Sequence, residues 1–98
     1  MERPAKILVV DDELQIQLLL EEFLSSLGHT FRVAGDGEQA LQLLQREVFD
    51  GVLADLKMAK LGGMELLRRI KLSYPTLLVI MIRHFQYLSR SIVPRSIL

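Results

Sequence analysis

The chain has 98 residues, half of them hydrophobic, and it balances 12 basic against 12 acidic side chains without any Cys. No overall positive charge is available to hold nucleic acid, and no apolar run approaches the ~20 residues that cross a bilayer. Residues 1–6 are too short and polar for a signal peptide, and the absence of Cys is compatible with a reducing compartment. We therefore expect one cytoplasmic domain with no membrane segment.

The apolar residues predict alternating strands and helices along residues 6–82. Short continuous apolar runs indicate strands buried on both faces, as in a parallel sheet covered by helices, and spacings of three and four residues indicate amphipathic helices. Gly28 follows the first helix as a C-terminal cap does, residues 35–37 are typical of a turn, and Phe49 is expected to anchor the loop before the third strand. The predicted strands are 6–10, 29–34, 51–55 and 77–82, and the predicted helices are 13–27, 38–47 and 64–72.

Several polar positions have ordinary structural interpretations. His29 comes just after the first helix and is expected to be a solvated loop residue, not a ligand. Arg68, Arg69 and Lys71 are expected to form the solvated face of the third helix. The two glycines at 62–63 permit a positive φ or a close backbone approach. None of these positions is a predicted site residue.

Two of the predicted strands end abruptly on carboxylates. Ile7–Val10 runs into Asp11 and Asp12, and Gly51–Ala54 runs into Asp55. Taken alone, the first pair is explained by helix capping, since acids favour the first turn of a helix, and Asp55 is explained as a loop acid. In a parallel sheet, however, ligands bind beyond the carboxyl ends of the strands, where the chain order reverses. If the two strands are neighbours, the three acids converge on one site.

These motifs and their spacing resemble the receiver domain of bacterial two-component response regulators over residues 4–82. The matching segments are the strand with its acid pair at 7–12, Gly35–Ala40 at the start of the second helix, and Asp55–Met58 followed by Gly63–Leu67. The resemblance implies an α/β, flavodoxin-like (CheY-like) open parallel sheet with strand order 2-1-3-4. The fifth strand of the family's order 2-1-3-4-5 is missing or replaced.

The resemblance also implies roles for individual residues. Asp55 matches the aspartate that accepts a phosphoryl group from a sensor histidine kinase or phosphotransfer protein, and Asp11 and Asp12 match the pair that holds Mg²⁺. Lys57 matches the position whose backbone carbonyl contacts the metal. The expected cofactor is therefore Mg²⁺, in a signalling protein that is not an enzyme and does not bind nucleic acid directly.

The chemistry of the acids is consistent with these roles. A carboxylate can act as a phosphoryl nucleophile, but at about 4 Å and an effective dielectric near 20 it repels an anionic donor by roughly 4 kcal/mol, which a cation offsets. Mg²⁺ prefers oxygen ligands and is commonly bound by one or two carboxylates together with phosphate oxygens. Without metal, mutual repulsion is expected to raise the pKa of at least one of the acids.

The sequence departs from the family after residue 82, which we take as the end of a receiver-like domain (1–82) followed by a divergent basic tail (83–98). The tail holds three Arg and no acid, whereas the preceding residues hold nine basic and all twelve acidic side chains. The family has Thr or Ser at the end of the fourth strand, where this chain has Ile82 followed by Arg83, and no fifth strand with its Lys is recognisable. Ala59 stands where Pro is usual. The pattern is that of a truncated or divergent receiver.

A second reading is a degenerate, non-phosphorylated receiver that acts as a protein-interaction or self-association module. Without a fifth strand, the fourth strand presents an apolar edge with unpaired backbone groups, which favours association, so residues 77–98 are predicted to form a homodimer. In the alternative to that dimer, residues 92–98 fold back as a substitute edge and the protein is monomeric. An aspartate-nucleophile phosphatase is a weaker third reading, because such enzymes need a second acid where this chain has Lys57.

Overall fold

The computed structural model describes residues 3–58 and 60–82. Within these ranges the strands and helices alternate in the predicted order, and each begins and ends within about one residue of its predicted bounds. Among the described residues, no helix is both long and apolar enough to cross a membrane. The elements are β1 (Lys6–Val10), α1 (Leu14–Ser26), β2 (Thr30–Ala34), α2 (Gly37–Arg46), β3 (Gly51–Asp55), α3 (Gly63–Ser73) and β4 (Leu78–Ile82).

The four strands form one parallel sheet in the order β2-β1-β3-β4. β1 lies between β2 and β3, with Val10 in register with Ala34 on one side and with Ala54 on the other. The chain order therefore reverses between β1 and β3, which is where doubly wound sheets bind their ligands. The predicted flavodoxin-like sheet of order 2-1-3-4 is confirmed, and the predicted loss or replacement of a fifth strand lies outside the described residues.

The main core lies between the sheet and the helices α2 and α3. The connection from β1 to β2 runs one way across the sheet, and the connections from β2 to β3 and from β3 to β4 run the other way. Because such crossovers are right-handed, α1 lies on one face of the sheet and α2 and α3 lie on the other. Alternate strand positions such as Leu8 and Val52 point to the α2–α3 face, where they pack with Leu66 and Ile70 of α3. All four side chains are almost fully buried, and each such burial stabilises the fold by about 1.5–3 kcal/mol.

The prediction that β4 is buried on both faces is wrong for the described residues. Leu78 is 60% exposed and Ile80 is 45% exposed, whereas Val79 and Met81, on the opposite face, pack against the core. The reason is position, because α1 packs on β1 and β2 and β4 lies at the far side of the sheet. A continuous apolar run therefore has the burial pattern of a strand covered on one face.

α1 buries a narrower stripe than its apolar spacing predicts. Ile16 and Leu24 are buried, but Phe23 is 38% exposed and Leu27 is 57% exposed. Part of the apolar face of α1 and its C-cap Leu27 therefore lie at the surface of the described structure.

The end of α1 has the predicted glycine cap. Gly28 has a φ of 83°, in the left-handed region that glycine adopts without strain, and the N–H of His29 donates to the Leu24 carbonyl at 3.0 Å. His29 is a half-buried loop residue, and its Nδ1 accepts the backbone N–H of Ala5 at 3.0 Å, a contact that the sequence does not indicate. His29 thereby joins the segment before β1 to the start of β2.

Candidate functional site

Asp11, Asp12 and Asp55 lie together at the carboxyl edge of the sheet. The first two follow β1 directly, and Asp55 is the last residue of the neighbouring β3. One carboxylate oxygen from each lies within 4.8 Å of the others. Asp11 and Asp55 are buried, whereas Asp12 is exposed. The three acids are therefore in one place, two inside the fold and one at its surface.

Hydrogen bonds hold Asp11 in a fixed orientation. Its N–H donates to the Ala34 carbonyl at 3.1 Å, and its own carbonyl accepts from Nε2 of Gln17 at 2.6 Å. Its Oδ1 accepts the N–H of Glu13 at 2.8 Å, so the carboxylate closes an Asx turn before the helix. The capping interpretation is therefore wrong for Asp11, since the N-cap of α1 is Glu13. The other oxygen, Oδ2, is buried without a hydrogen-bond partner in the described part of the chain.

Burial in this cluster disfavours the charged forms of both inner acids. Loss of hydration raises the pKa of Asp11 to about 7, against the hydrogen bond from the Glu13 N–H and together with the charges of Asp55 and Asp12. Loss of hydration also raises the pKa of Asp55, against the hydrogen bond from the Lys57 N–H. The predicted rise in pKa is confirmed, but its largest cause is burial, and mutual repulsion is a smaller one.

Backbone contacts hold the loop after β3 close to Asp55. Oδ1 of Asp55 accepts the Lys57 N–H at 3.1 Å. The Leu56 N–H donates to the Ile82 carbonyl at 3.1 Å, and the Leu56 carbonyl accepts the Gly63 N–H at 3.1 Å. Gly63 has no room for a side chain, because a Cβ would lie 2.5 Å from the Asp55 carbonyl oxygen. Of the two properties predicted for the glycine pair, the close backbone approach is therefore present at Gly63.

The strand next to Asp55 ends on an apolar residue. β4 pairs with β3 so that Ile82 is in register with Asp55. The side chain at this position therefore offers no hydroxyl, as the sequence indicates. The other departures from the family, at Arg83, at Ala59 and in the absent Lys, lie outside the described residues.

Glu13 is a fourth acid that the sequence interpretation left out. Its negative charge raises the pKa of both Asp11 and Asp55. Its place directly after the acid pair was the signal that the sequence offered.

The cluster fits a small divalent cation that prefers oxygen ligands. Three carboxylates each direct an oxygen to one region, and oxygen is the ligand that Mg²⁺ prefers. When Asp11 is protonated, its carboxyl can donate to Asp55, and this contact lowers the pKa of Asp55. When both are ionised, the buried oxygen of Asp11 has no donor in the described residues. A cation therefore competes with a proton for this position.

Comparison with known families agrees with the fold and with the acid cluster. Residues 7–90 match the family model of the response regulator receiver domain. The chain therefore belongs to this family, whose members act in two-component signal transduction, bind Mg²⁺ at an acidic cluster and interact with histidine kinases or phosphotransfer proteins. The predicted boundary at residue 82 stays a prediction.

Individual proteins show the same likeness. The solved structure of the response regulator TrrA from Thermotoga maritima in complex with Mg²⁺-BeF has a TM-score of 0.79 and 30% identity, over 90% of this chain and 76% of that one. Sporulation initiation phosphotransferase F of Bacillus subtilis is 41% identical over 67% of this chain and 53% of its own length. The transcriptional regulatory protein ZraR of Klebsiella oxytoca is 39% identical over 76% of this chain and 17% of its own length. The chain thus spans about half of one relative and about a sixth of the other.

Proposed function

We propose that this receiver accepts a phosphoryl group on Asp55 from a sensor histidine kinase or phosphotransfer protein, with Mg²⁺ bound by Asp11, Asp12, Asp55 and the backbone carbonyl of Lys57. The observation that carries the proposal is the convergence of three carboxylates within 4.8 Å, around a buried Asp11 oxygen without a partner in the described residues. Membership of the receiver family and the Mg²⁺-BeF complex of a protein with 30% identity support it.

In this proposal Asp55 is the nucleophile. The hydrogen bond from the Lys57 N–H occupies Oδ1 and leaves Oδ2 for the reaction. Oδ2 forms a bond to phosphorus while the bond from phosphorus to the donor's imidazole nitrogen breaks. That nitrogen keeps the electron pair and takes a proton from water. The products are an acyl phosphate on Asp55 and a neutral histidine on the donor.

The electrostatics of the cluster make the reaction dependent on a cation. Each pair of negative charges about 4 Å apart repels by roughly 4 kcal/mol at an effective dielectric near 20. When bound, Mg²⁺ supplies the positive charge that neutralises the carboxylates and the transferring phosphoryl oxygens. The chain itself supplies the fixed geometry, because the hydrogen bonds to Asp11 and Asp55 hold both carboxylates before any ligand arrives.

The apolar end of β4 predicts a slow reaction. Ile82, in register with Asp55, gives the phosphoryl group no hydroxyl donor. Removing one preorganised donor costs other enzymes about 10²–10³ in rate. We therefore expect slow phosphorylation, and a faster reaction in the Ile82→Thr variant.

Intact-mass measurement tests the proposal. The full chain is incubated with Mg²⁺ and acetyl phosphate, and we expect one added phosphoryl group that is absent without Mg²⁺ and absent in Asp55→Ala. Asp50→Ala is the matched control, because Asp50 directly precedes β3 and its carboxylate binds the N–H of Lys6 at the opposite edge of the sheet. An unmodified wild-type chain, or a modified Asp55→Ala variant, would reject the proposal.

The second candidate is a non-phosphorylated module that associates with itself through residues 77–98. The observation that favours it is the exposure of Leu78 and Ile80 on β4, which in the described part of the sheet pairs only with β3. An exposed apolar edge strand favours pairing with another chain. Residues 83–98 of this segment lie outside the described residues.

Size-exclusion chromatography with light scattering tests self-association. A dimer at high micromolar concentration that dissociates in the Leu78→Lys, Ile80→Lys double variant would support it. A monomeric wild-type chain would reject it and favour the fold-back of residues 92–98.

A further inference from the structure

The start of α2 contacts the loop that follows Asp55. A Cβ at Gly37, the first residue of α2, would lie 2.7 Å from Cβ of Leu61 and 2.9 Å from the Leu61 backbone oxygen. A backbone oxygen cannot turn aside as the tip of a side chain does, so the close contact requires glycine. Beside it, Nζ of Lys60 lies 3.8 Å from Oδ2 of Asp36, the N-cap of α2. Two contacts therefore join α2 to this loop.

The loop is fixed at both ends. The Leu56 N–H is bound to the carbonyl of the last residue of β4, and the Leu56 carbonyl is bound to the Gly63 N–H. Gly63 itself lies against the backbone of β3. A displacement of Leu61 must therefore be taken up between Leu56 and Gly63, which is the part of the loop that contains Lys57.

We propose that the contact between Gly37 and Leu61 positions the backbone carbonyl of Lys57 and thereby sets the affinity for Mg²⁺. This inference rests on the metal site of the proposed function. A Cβ at Gly37 would lie 2.7 Å from Cβ of Leu61, and ordinary van der Waals contact begins at 3.4 Å, so relief of the crowding would move the loop by about 0.7 Å. This shift exceeds the ~0.5 Å tolerance within which a binding site must be held. Mg²⁺ requires near-ideal octahedral geometry, so a shift of this size weakens binding.

Helix propensity gives a different expectation for the Mg²⁺ affinity of a Gly37→Ala variant. Ala forms helices better than Gly, so Gly37→Ala would strengthen an uncrowded α2 without changing the metal site. The positioning role predicts weaker Mg²⁺ binding. The two explanations therefore differ in whether the Mg²⁺ affinity changes.

The experiment compares Mg²⁺ dissociation constants of full-length variants by isothermal titration calorimetry, with urea unfolding to confirm that each is folded. Gly37→Ala is expected to raise the dissociation constant about tenfold, as loss of residues that orient metal ligands does elsewhere. Gly62→Ala is the matched control, because a Cβ at Gly62 meets nothing within 4 Å, and it should match the wild type. Asp12→Ala reports on the metal site itself and should bind at least about tenfold more weakly.

The outcomes separate the inference from the proposed function. A folded Gly37→Ala with the wild-type dissociation constant overturns the inference, and weakened binding in Asp12→Ala then leaves the proposed function standing. If Asp12→Ala also binds Mg²⁺ as the wild type does, the metal assignment is wrong and the positioning role fails with it. Equal weakening in Gly62→Ala overturns the inference, because the loop would then respond to any substitution.

Leu61→Ala provides a second variant if Gly37→Ala does not fold. It removes the outer carbons of Leu61, including the Cδ2 that faces Gly37, and it adds no atoms. It is expected to raise the dissociation constant several-fold. In the metal-free protein, the amide resonances of Lys57 and Met58 should shift in Leu61→Ala and stay in place in Gly62→Ala. A folded Leu61→Ala with unchanged resonances and unchanged Mg²⁺ affinity overturns the inference.

Discussion

The two edges of the sheet use charged residues in opposite ways. At the amino edge, the carboxylate of Glu47 contacts Nζ of Lys6 at 2.7 Å and a guanidinium nitrogen of Arg32 at 3.0 Å, and the hydrogen bond from Lys6, with the charge of Arg32, lowers the pKa of Glu47. At the carboxyl edge, Asp11 and Asp55 face other acids, and burial raises the pKa of both. Among the described residues, Glu47 at the amino edge is paired with opposite charges, whereas Asp11 and Asp55 at the carboxyl edge lie among acids.

The difference separates stability from function within one small sheet. At the amino edge, Asp50 accepts the N–H of Lys6 at 2.7 Å, and Nζ of Lys6 lies 5.1 Å from the centroid of the Phe49 ring. At the carboxyl edge, a buried oxygen of Asp11 lacks a partner within the described ranges. Natural proteins break local rules of this kind mainly at functional sites, so the contrast itself points to the edge that binds a ligand.

The largest expected effect is at the amino edge. Phe49 is 6% exposed, and Phe49→Ala should lower the free energy of unfolding by about 3–5 kcal/mol while leaving the Mg²⁺ affinity of the folded protein unchanged. The neighbouring Val48 is 87% exposed, and Val48→Ala should change stability by less than about 0.5 kcal/mol. Urea unfolding and calorimetric Mg²⁺ titration measure the two quantities. Weaker Mg²⁺ binding by folded Phe49→Ala would contradict the separation of the edges.

An intermediate effect is expected at Asp11, and its size depends on pH. The folded pKa of about 7 lies above the ordinary value of 3.8, so the folded state holds the proton more tightly than the unfolded state does. The metal-free protein therefore loses stability as pH rises from about 4 to about 7. The side chain at position 11 of the Asp11→Asn variant cannot ionise. The free energy of unfolding of this variant should therefore exceed that of the wild type by roughly 1–2 kcal/mol at pH 8 in EDTA, and the two should be equal near pH 4. This is less than the ~4 kcal/mol that three pKa units represent, because the adjacent solvent screens the cluster.

Addition of Mg²⁺ should reverse the order of these two proteins. A ligand at about 100 times its dissociation constant stabilises the folded state by about 2.7 kcal/mol, and the wild type should gain more of this than Asp11→Asn. Asp50→Asn is the control. Its difference in stability from the wild type should be the same in EDTA and in Mg²⁺. If Asp11→Asn is less stable than the wild type in EDTA at pH 8, the ionised carboxylate of Asp11 does not destabilise the folded state.

The smallest effect is expected at Glu47, where the ion pairs are exposed to solvent. Its folded pKa is lowered, so the stabilisation is present above its ordinary pKa and is lost as pH falls through the folded pKa. Glu47→Gln should therefore be slightly less stable than the wild type at pH 7, with a difference that disappears in acid and shrinks in high salt. Glu22→Gln, on the exposed side of α1, should show no such dependence. A difference that persists in high salt would contradict an ion-pair origin.

Most of the fold could be predicted because its signals are local. Apolar runs, three- and four-residue spacings and single glycines such as Gly28 determine where strands and helices begin and end. The meeting of Asp11 and Asp55 required one further rule, that parallel strands present their carboxyl ends at the same edge. That rule does not depend on the tertiary details of this chain.

The features that could not be predicted depend on which elements are neighbours. The apolar run of β4 does not reveal that α1 stops short of it, and the sequence around Gly37 does not reveal Leu61 as its contact. Other pairs were within reach of the sequence. Glu65 lies three and four residues before Arg68 and Arg69, the spacing of helical ion pairs, and its contacts with both lower its pKa to about 2.

One hydrogen bond, from the Leu56 N–H to the Ile82 carbonyl, connects the end of β4 mechanically to the acids. Leu56 is the residue after Asp55, so tension on the polypeptide leaving Ile82 reaches the proposed nucleophile through this bond and a single peptide unit. We therefore expect that a displacement of the end of β4 moves the backbone beside Asp55 without any contact to a carboxylate. Because such coupling is reciprocal, a chemical change at Asp55 is expected to shift the backbone of Ile82.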